Sequence, residues 1–126
     1  MIRRAVPLLA VGALFVGACG GSYGGGGETS GCTVANATAV TSSVALKGTA
    51  FVPNCAKTTV GTALTFTNQD SIVHTVTARS GQPETFDSGN LNPGLTFSHT
   101  FAIAGTYNIV CTIHESMGMT MTLFVQ

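Results

Sequence analysis

From Val44 onward, β-branched and aromatic residues come in short runs that turn residues keep interrupting. Within those runs apolar side chains recur at every second position, the period of a strand with one buried face. "IVHTVTA" sets Ile72, His74 and Val76 on one face and Val73, Thr75 and Thr77 on the other. "LTFSHTFAIAG" aligns Leu95, Phe97, His99 and Phe101, and "TYNIVC" aligns Tyr107, Ile109 and Cys111. Pro53 and Asn54, Gly61, and the stretch 68–71 break the pattern where turns belong. The segment "SGQPETFDSGNLNPG" reads as one long turn-rich connection, and no run has a convincing helical period. The expectation is an all-β domain of two packed sheets.

The first 31 residues do not follow this pattern. "MIRR" and the apolar run "AVPLLAVGALFVGA" form a secretory signal, residues 1–18, shorter and more poorly flanked than a membrane span. The run ends in "VGAC", which resembles a bacterial lipobox and implies that Cys19 becomes a lipidated N-terminal residue. Residues 19–31, rich in Gly and Ser, read as that anchor and a flexible tether. The folded domain is expected over residues 32–126. Localisation follows: an exported protein, held by lipid at the cell envelope, in the periplasm or on the outer face of the cytoplasmic membrane.

Charge adds an exclusion. The chain is neutral overall and only 8% charged, too little for an electrostatic grip on nucleic acid. Export implies an oxidising compartment. With Cys19 assigned to lipid, Cys32, Cys55 and Cys111 leave one pair and one free thiol. Spacing alone does not fix connectivity. Cys32 and Cys55 bracket the start of the domain while Cys111 stands beside His114, so the expected disulfide is Cys32–Cys55.

The chemistry concentrates in "CTIHESMGM", residues 111–119. Alternation turns Cys111 and His74 inward, and a buried histidine needs a partner for its ring nitrogens. His74, Cys111, His114 and a nearby methionine make a His₂Cys set with a weak thioether, the ligand set of a blue copper centre. Structural zinc sites bring more cysteines and no methionine. A Cys–His nucleophile pair leaves both the methionine and the second histidine unexplained. Asp70 and Glu84 stand apart and form no catalytic pair, His99 reads as packed or capping, and Glu115 as a solvated residue or a steering charge.

"GTYNIVCTIHESMGM", with "NQDSIVHTVTA" upstream and "TLFV" after it, resembles a cupredoxin of the plastocyanin and amicyanin group over residues 49–125. The resemblance implies a Greek-key β-sandwich, one type 1 copper, one-electron transfer without enzymatic turnover, and His74, Cys111 and His114 as equatorial ligands. Plastocyanin-like spacing selects Met119 as axial ligand and amicyanin-like spacing selects Met117. The loop length, Gly118, and the register of Leu123 and Val125 favour Met119. The chain departs from plastocyanins at Ile113, commonly Pro, and at Thr75, commonly Asn, whose backbone N–H is still placed to donate to the Cys111 sulfur. It also lacks an acidic patch. The resemblance further implies electron exit through His114 within an apolar patch supplied by Ile113, Met117 and Pro93.

The functional expectation is a monomeric copper electron carrier that meets redox proteins, membrane complexes or cytochromes, transiently. Two other functions compete. A copper storage or delivery protein is suggested by Met117, Met119 and Met121, but the inward Cys111 opposes easy exchange. A multi-copper enzyme needs further domains and His-x-His ligands, and the chain has three histidines with no such pair.

Overall fold

A computed structural model describes residues 31–126. The signal, Cys19 and tether expectations fall on residues outside these. Among the described residues nine strands carry the fold: β1 (Thr38–Ala39), β2 (Ser43–Leu46), β3 (Phe51–Val52), β4 (Cys55–Thr58), β5 (Ala63–Asn68), β6 (Thr77–Ala78), β7 (Thr96–Thr100), β8 (Gly105–Val110) and β9 (Thr120–Val125). They form a five-stranded sheet in the order β1-β4-β9-β8-β6 and a four-stranded sheet in the order β3-β2-β5-β7. Both sheets are mixed: β2 runs parallel to β5, and β4 parallel to β9 and β1, while β8 and β9 are antiparallel. Parallel neighbours cannot be joined by a tight hairpin. The chain therefore passes repeatedly from sheet to sheet, giving the Greek-key sandwich.

Alternation explains the core. In β5, Leu64 and Phe66 point inward beside half-exposed threonines, and in β8 Tyr107 and Ile109 point inward on either side of the half-exposed Asn108. With Leu46, Phe51, Phe101 and Leu123 they form one continuous apolar cluster. Each such side chain contributes about 1.5–3 kcal/mol on burial. Phe51 and Phe66 meet edge to face with ring centroids 6.4 Å apart. The Cys32–Cys55 disulfide fastens the start of the domain to β4, and Cys111 remains a buried free thiol.

Two alternation readings fail, both beside the site. Ile72 does not share the inward face of His74 and is 44% exposed. Residues 69–73 are a bend outside any strand, so strand parity does not reach them. The buried Asn68 shapes that bend: its Nδ2 donates to the carbonyls of Ile72 and Leu91, each at 2.8 Å, and its Oδ1 accepts from Asp70 N at 2.9 Å. Leu95 is likewise exposed, because it closes a turn whose carbonyl accepts from Asn68 N before β7 begins. In the opposite sense Thr75, expected outward, is buried.

The connection 79–94 carries more order than its composition suggests. Phe86 and Ser88 exchange backbone bonds with Ala78 and Val76, and Leu91 bonds His74 through both N–H and C=O. It thus runs as an irregular partner strand along residues 74–78 and fixes the His74 backbone.

Candidate metal centre

Three elements converge at the end of the sandwich where β8 finishes. His74 comes from the segment before β6, Cys111 directly follows β8, and His114 lies three residues further on. The loop 111–119 closes on itself, because Cys111 N–H donates to the Met119 carbonyl at 3.1 Å and Met119 N–H to the His114 carbonyl at 3.2 Å. Between them Glu115–Met117 forms a single 3₁₀ turn that ends at Gly118. Gly118 sits at φ 84°, a left-handed conformation that costs glycine nothing and a β-carbon-bearing residue something.

The geometry is compact. Cys111 Sγ lies 3.8 Å from His74 Nδ1 and 3.5 Å from His114 Nδ1, and the two Nδ1 atoms are 3.2 Å apart. His74 and Cys111 are fully buried, while His114 is half-buried and meets the His74 ring edge to face at 5.0 Å. His74, Cys111 and His114 are the one group among the described residues that could hold a metal through three His, Cys, Asp or Glu side chains.

Asp70 sets the orientation of the inner imidazole. Its Oδ2 accepts from His74 Nε2 at 2.8 Å. The carboxylate has no proton to give, so Nε2 is the donor and Nδ1 is the ring atom turned toward the sulfur. Asp70 also accepts from Gly48 N–H at 2.7 Å and Thr49 N–H at 2.9 Å. The Thr49 N–H first, then Gly48 N–H and His74, hold its carboxyl below the usual value of 3.8 against the contrary effect of burial.

Thr75 braces the sulfur. Its N–H donates to Cys111 Sγ at 3.3 Å, as the sequence led one to expect. Its hydroxyl accepts from Thr112 N–H at 2.9 Å and meets the Thr112 hydroxyl at 3.1 Å, so this shorter residue still clasps the ligand loop.

The donor set fits a soft, redox-active ion. Two imidazole nitrogens and a sulfur face one another, and one backbone N–H donates to the sulfur. A point about 2 Å from all three atoms lies between them, close to metal–nitrogen and metal–sulfur bond lengths of about 2.0–2.3 Å. Met119 is fully buried at the foot of the loop, Met121 is buried in β9, and Met117 is 70% exposed.

Sequence reasoning missed Asp70. It stands four residues before His74, but nothing in the sequence shows that a hairpin more than twenty residues earlier supplies it with N–H donors. Glu84, also read as isolated, accepts from Ala102 N, Ile103 N and Tyr107 Oη, so neither acid is free. Glu115 is paired with Arg79, which removes it as a free steering charge.

The chain has likenesses among known proteins. Among curated protein sequences, none matches the chain. Among solved structures, a Cu-containing nitrite reductase from Thermus scotoductus SA-01 is 27% identical with a TM-score of 0.62 over 69% of this chain, which spans 22% of that enzyme's length. A purple cupredoxin from Nitrosopumilus maritimus is 24% identical with a TM-score of 0.59, over 68% of this chain and 99% of its own. A mutant amicyanin in the Cu(I) state is 22% identical with a TM-score of 0.61, over 73% and 88% of the two chains. These last two likenesses establish the fold. The family model described as "Copper binding proteins, plastocyanin/azurin family" matches residues 37–126. That match takes in every residue of the converging set, and the chain belongs to the plastocyanin/azurin family of copper-binding proteins.

Proposed function

We propose that His74 Nδ1, Cys111 Sγ and His114 Nδ1, together with Met119, would hold one type 1 copper, and that the protein is a one-electron carrier rather than an enzyme. The observation that carries this reading is the convergence of two imidazole nitrogens on a buried sulfur, with a buried methionine closing the loop. Copper held there supplies a one-electron couple, Cu(II) plus an electron giving Cu(I).

The chain's own residues make that couple usable. Asp70 and Leu91 hold His74, Thr75 holds the sulfur, and the closed loop 111–119 holds His114 and Met119. A ligand set fixed in this way rearranges little when one electron arrives or leaves. Full burial of His74, Cys111 and Met119 keeps water away. The half-buried His114 is the electron's way out. Ile113 and Met117 on its loop, with Ile72, Pro93 and Leu95, are exposed apolar residues suited to a brief docking contact with a redox protein. Export and lipidation at Cys19 would confine that traffic to the cell envelope.

Met117 favours Met119 by contrast: at 70% exposure it faces solvent. The burial of the thiol also weighs against copper storage or delivery, which needs an exchangeable ion. A nitrite reductase activity is not proposed, since the described residues contain one group of this kind and the chain spans 22% of that relative.

The test is optical and EPR spectroscopy of the Cu(II)-loaded protein beside Cys111→Ser. An intense sulfur-to-copper visible band in the parent and none in the variant is the expected result. A band that survives Cys111→Ser would remove the ligand assignment.

A further inference from the structure

We infer that Asp70 sets the balance between the two copper oxidation states, and that the β2–β3 hairpin is built to hold its charge in place. This rests on the copper reading above. The Asp70 carboxylate gathers three N–H donors: Oδ1 takes Gly48 N–H, and Oδ2 takes Thr49 N–H and His74 Nε2–H. Its own N–H is fixed on Asn68 Oδ1. The side chain is thus held at every polar atom and is largely screened from water, with 16% of it exposed.

The hairpin is shaped for this task. Gly48 and Thr49 lie at φ 63° and 56°, consecutive left-handed residues that turn both N–H groups to one side. Asparagine-glycine pairs suit such a turn, and a β-branched threonine there is an outlier. Outliers of this kind persist where their surroundings impose them. Here the surroundings are a carboxylate that belongs to the other end of the same apparatus. The hairpin lies in the four-stranded sheet, whereas His74 pairs with Leu91 of the connection and stands just before β6 of the five-stranded sheet. Asp70 ties the two together at the metal ligand.

The consequence for redox chemistry is one of sign. A fixed anion bonded to the far nitrogen of a ligand imidazole makes that imidazole a stronger donor and favours the more highly charged metal. Asp70 therefore stabilises Cu(II) over Cu(I) and lowers the reduction potential. Asparagine cannot replace it, because it offers one acceptor oxygen where three donors converge on two.

Asp70→Asn should reduce the preference for Cu(II) over Cu(I) about tenfold, raising the potential by about 59 mV, with the visible band retained. Glu84→Gln removes the same charge at the other end of the sandwich and serves as the control, with an unchanged potential. A second arm uses copper-free protein and ¹⁵N–¹H NMR. There, His74 should carry its proton on Nε2 with slow solvent exchange, and Asp70→Asn should lose that protection. A potential unchanged in Asp70→Asn, or moved equally by Glu84→Gln, overturns the inference. If Asp70→Asn does not fold, the copper-free parent decides: a His74 Nε2 proton exchanging like that of free imidazole sinks it, and a protected one sustains it. If the parent forms no thiolate centre, the copper reading fails separately, and the NMR arm still judges the Asp70 brace.

Discussion

The two ends of the sandwich are each organised around one carboxylate, and each carboxylate holds two backbone N–H groups and faces a histidine. At the copper end Asp70 holds Gly48, Thr49 and His74. At the other end Glu84 holds Ala102, Ile103 and the Tyr107 hydroxyl, with His99 Nε2 3.4 Å from its second oxygen. The difference lies beyond the histidine. The His99 ring packs between Phe86, at 4.2 Å, and Phe101, at 4.8 Å, and leads nowhere. The His74 ring passes the contact on, toward a second imidazole and a sulfur. A carboxylate beside a histidine closes a core at one end and stands behind a group of nitrogen and sulfur donors at the other. What decides is whether aromatic carbon or further lone pairs lie behind the ring.

The largest effect that could break this comparison is metal loading. At a free copper concentration about 1,000 times the dissociation constant, the parent should gain about 4 kcal/mol of stability. Cys111→Ser should gain far less in the same denaturant titration. Equal gains would mean the ends do not differ in the way described.

Next in size is Glu84→Ala, which leaves two N–H groups without their acceptor and the Tyr107 hydroxyl with the Ile103 carbonyl alone. It should cost about 2–3 kcal/mol in urea unfolding, while the visible spectrum stays that of the parent. A spectral change would show the two ends to be coupled. Within the copper end, Met119→Leu should shift the reduction potential by the equivalent of about a tenfold change in relative affinity, and Met117→Leu should leave it unchanged.

The smallest effect concerns acid. Burial favours the protonated form of Glu84, but the Tyr107 hydroxyl, Ile103 N–H, His99 and Ala102 N–H outweigh it and lower its carboxyl from the usual 4.5. A lowered folded-state value stabilises the protein above the unfolded value, and that stability is lost as pH falls through the folded one. Copper-free protein should therefore weaken below pH 4.5, and Glu84→Gln should flatten that slope. Burial, then Glu84, raises the Tyr107 phenol, so it stays a neutral donor throughout.

The strands of the core were legible because Leu64 and Phe66 alternate about Thr65, and Tyr107 and Ile109 about Asn108, and each pattern is local. The grouping of His74, Cys111 and His114 was legible because parity turned an imidazole and a thiol inward and Cys-x-x-His brought a second imidazole beside the thiol. Ile72 and Leu95 misled because parity was extended past strand ends into turns governed by Asn68. Asp70 was hidden because its partners include main-chain N–H groups at 48 and 49, which carry no side-chain signature. The parallel pairings of β2 with β5 and β4 with β9 depend on contacts far apart in sequence and leave no periodic trace.

The outer margins of the two sheets are unequal. β1 and β3 end their sheets with two residues each, and β6 is flanked by the connection through Thr77 and Asp87. Among the described residues only β7 presents a five-residue run at a margin. Edge-to-edge association of neighbouring molecules, the first step toward fibrillar aggregates, therefore has one place to begin, and the exposed Thr96, Ser98 and Thr100 make it a polar one.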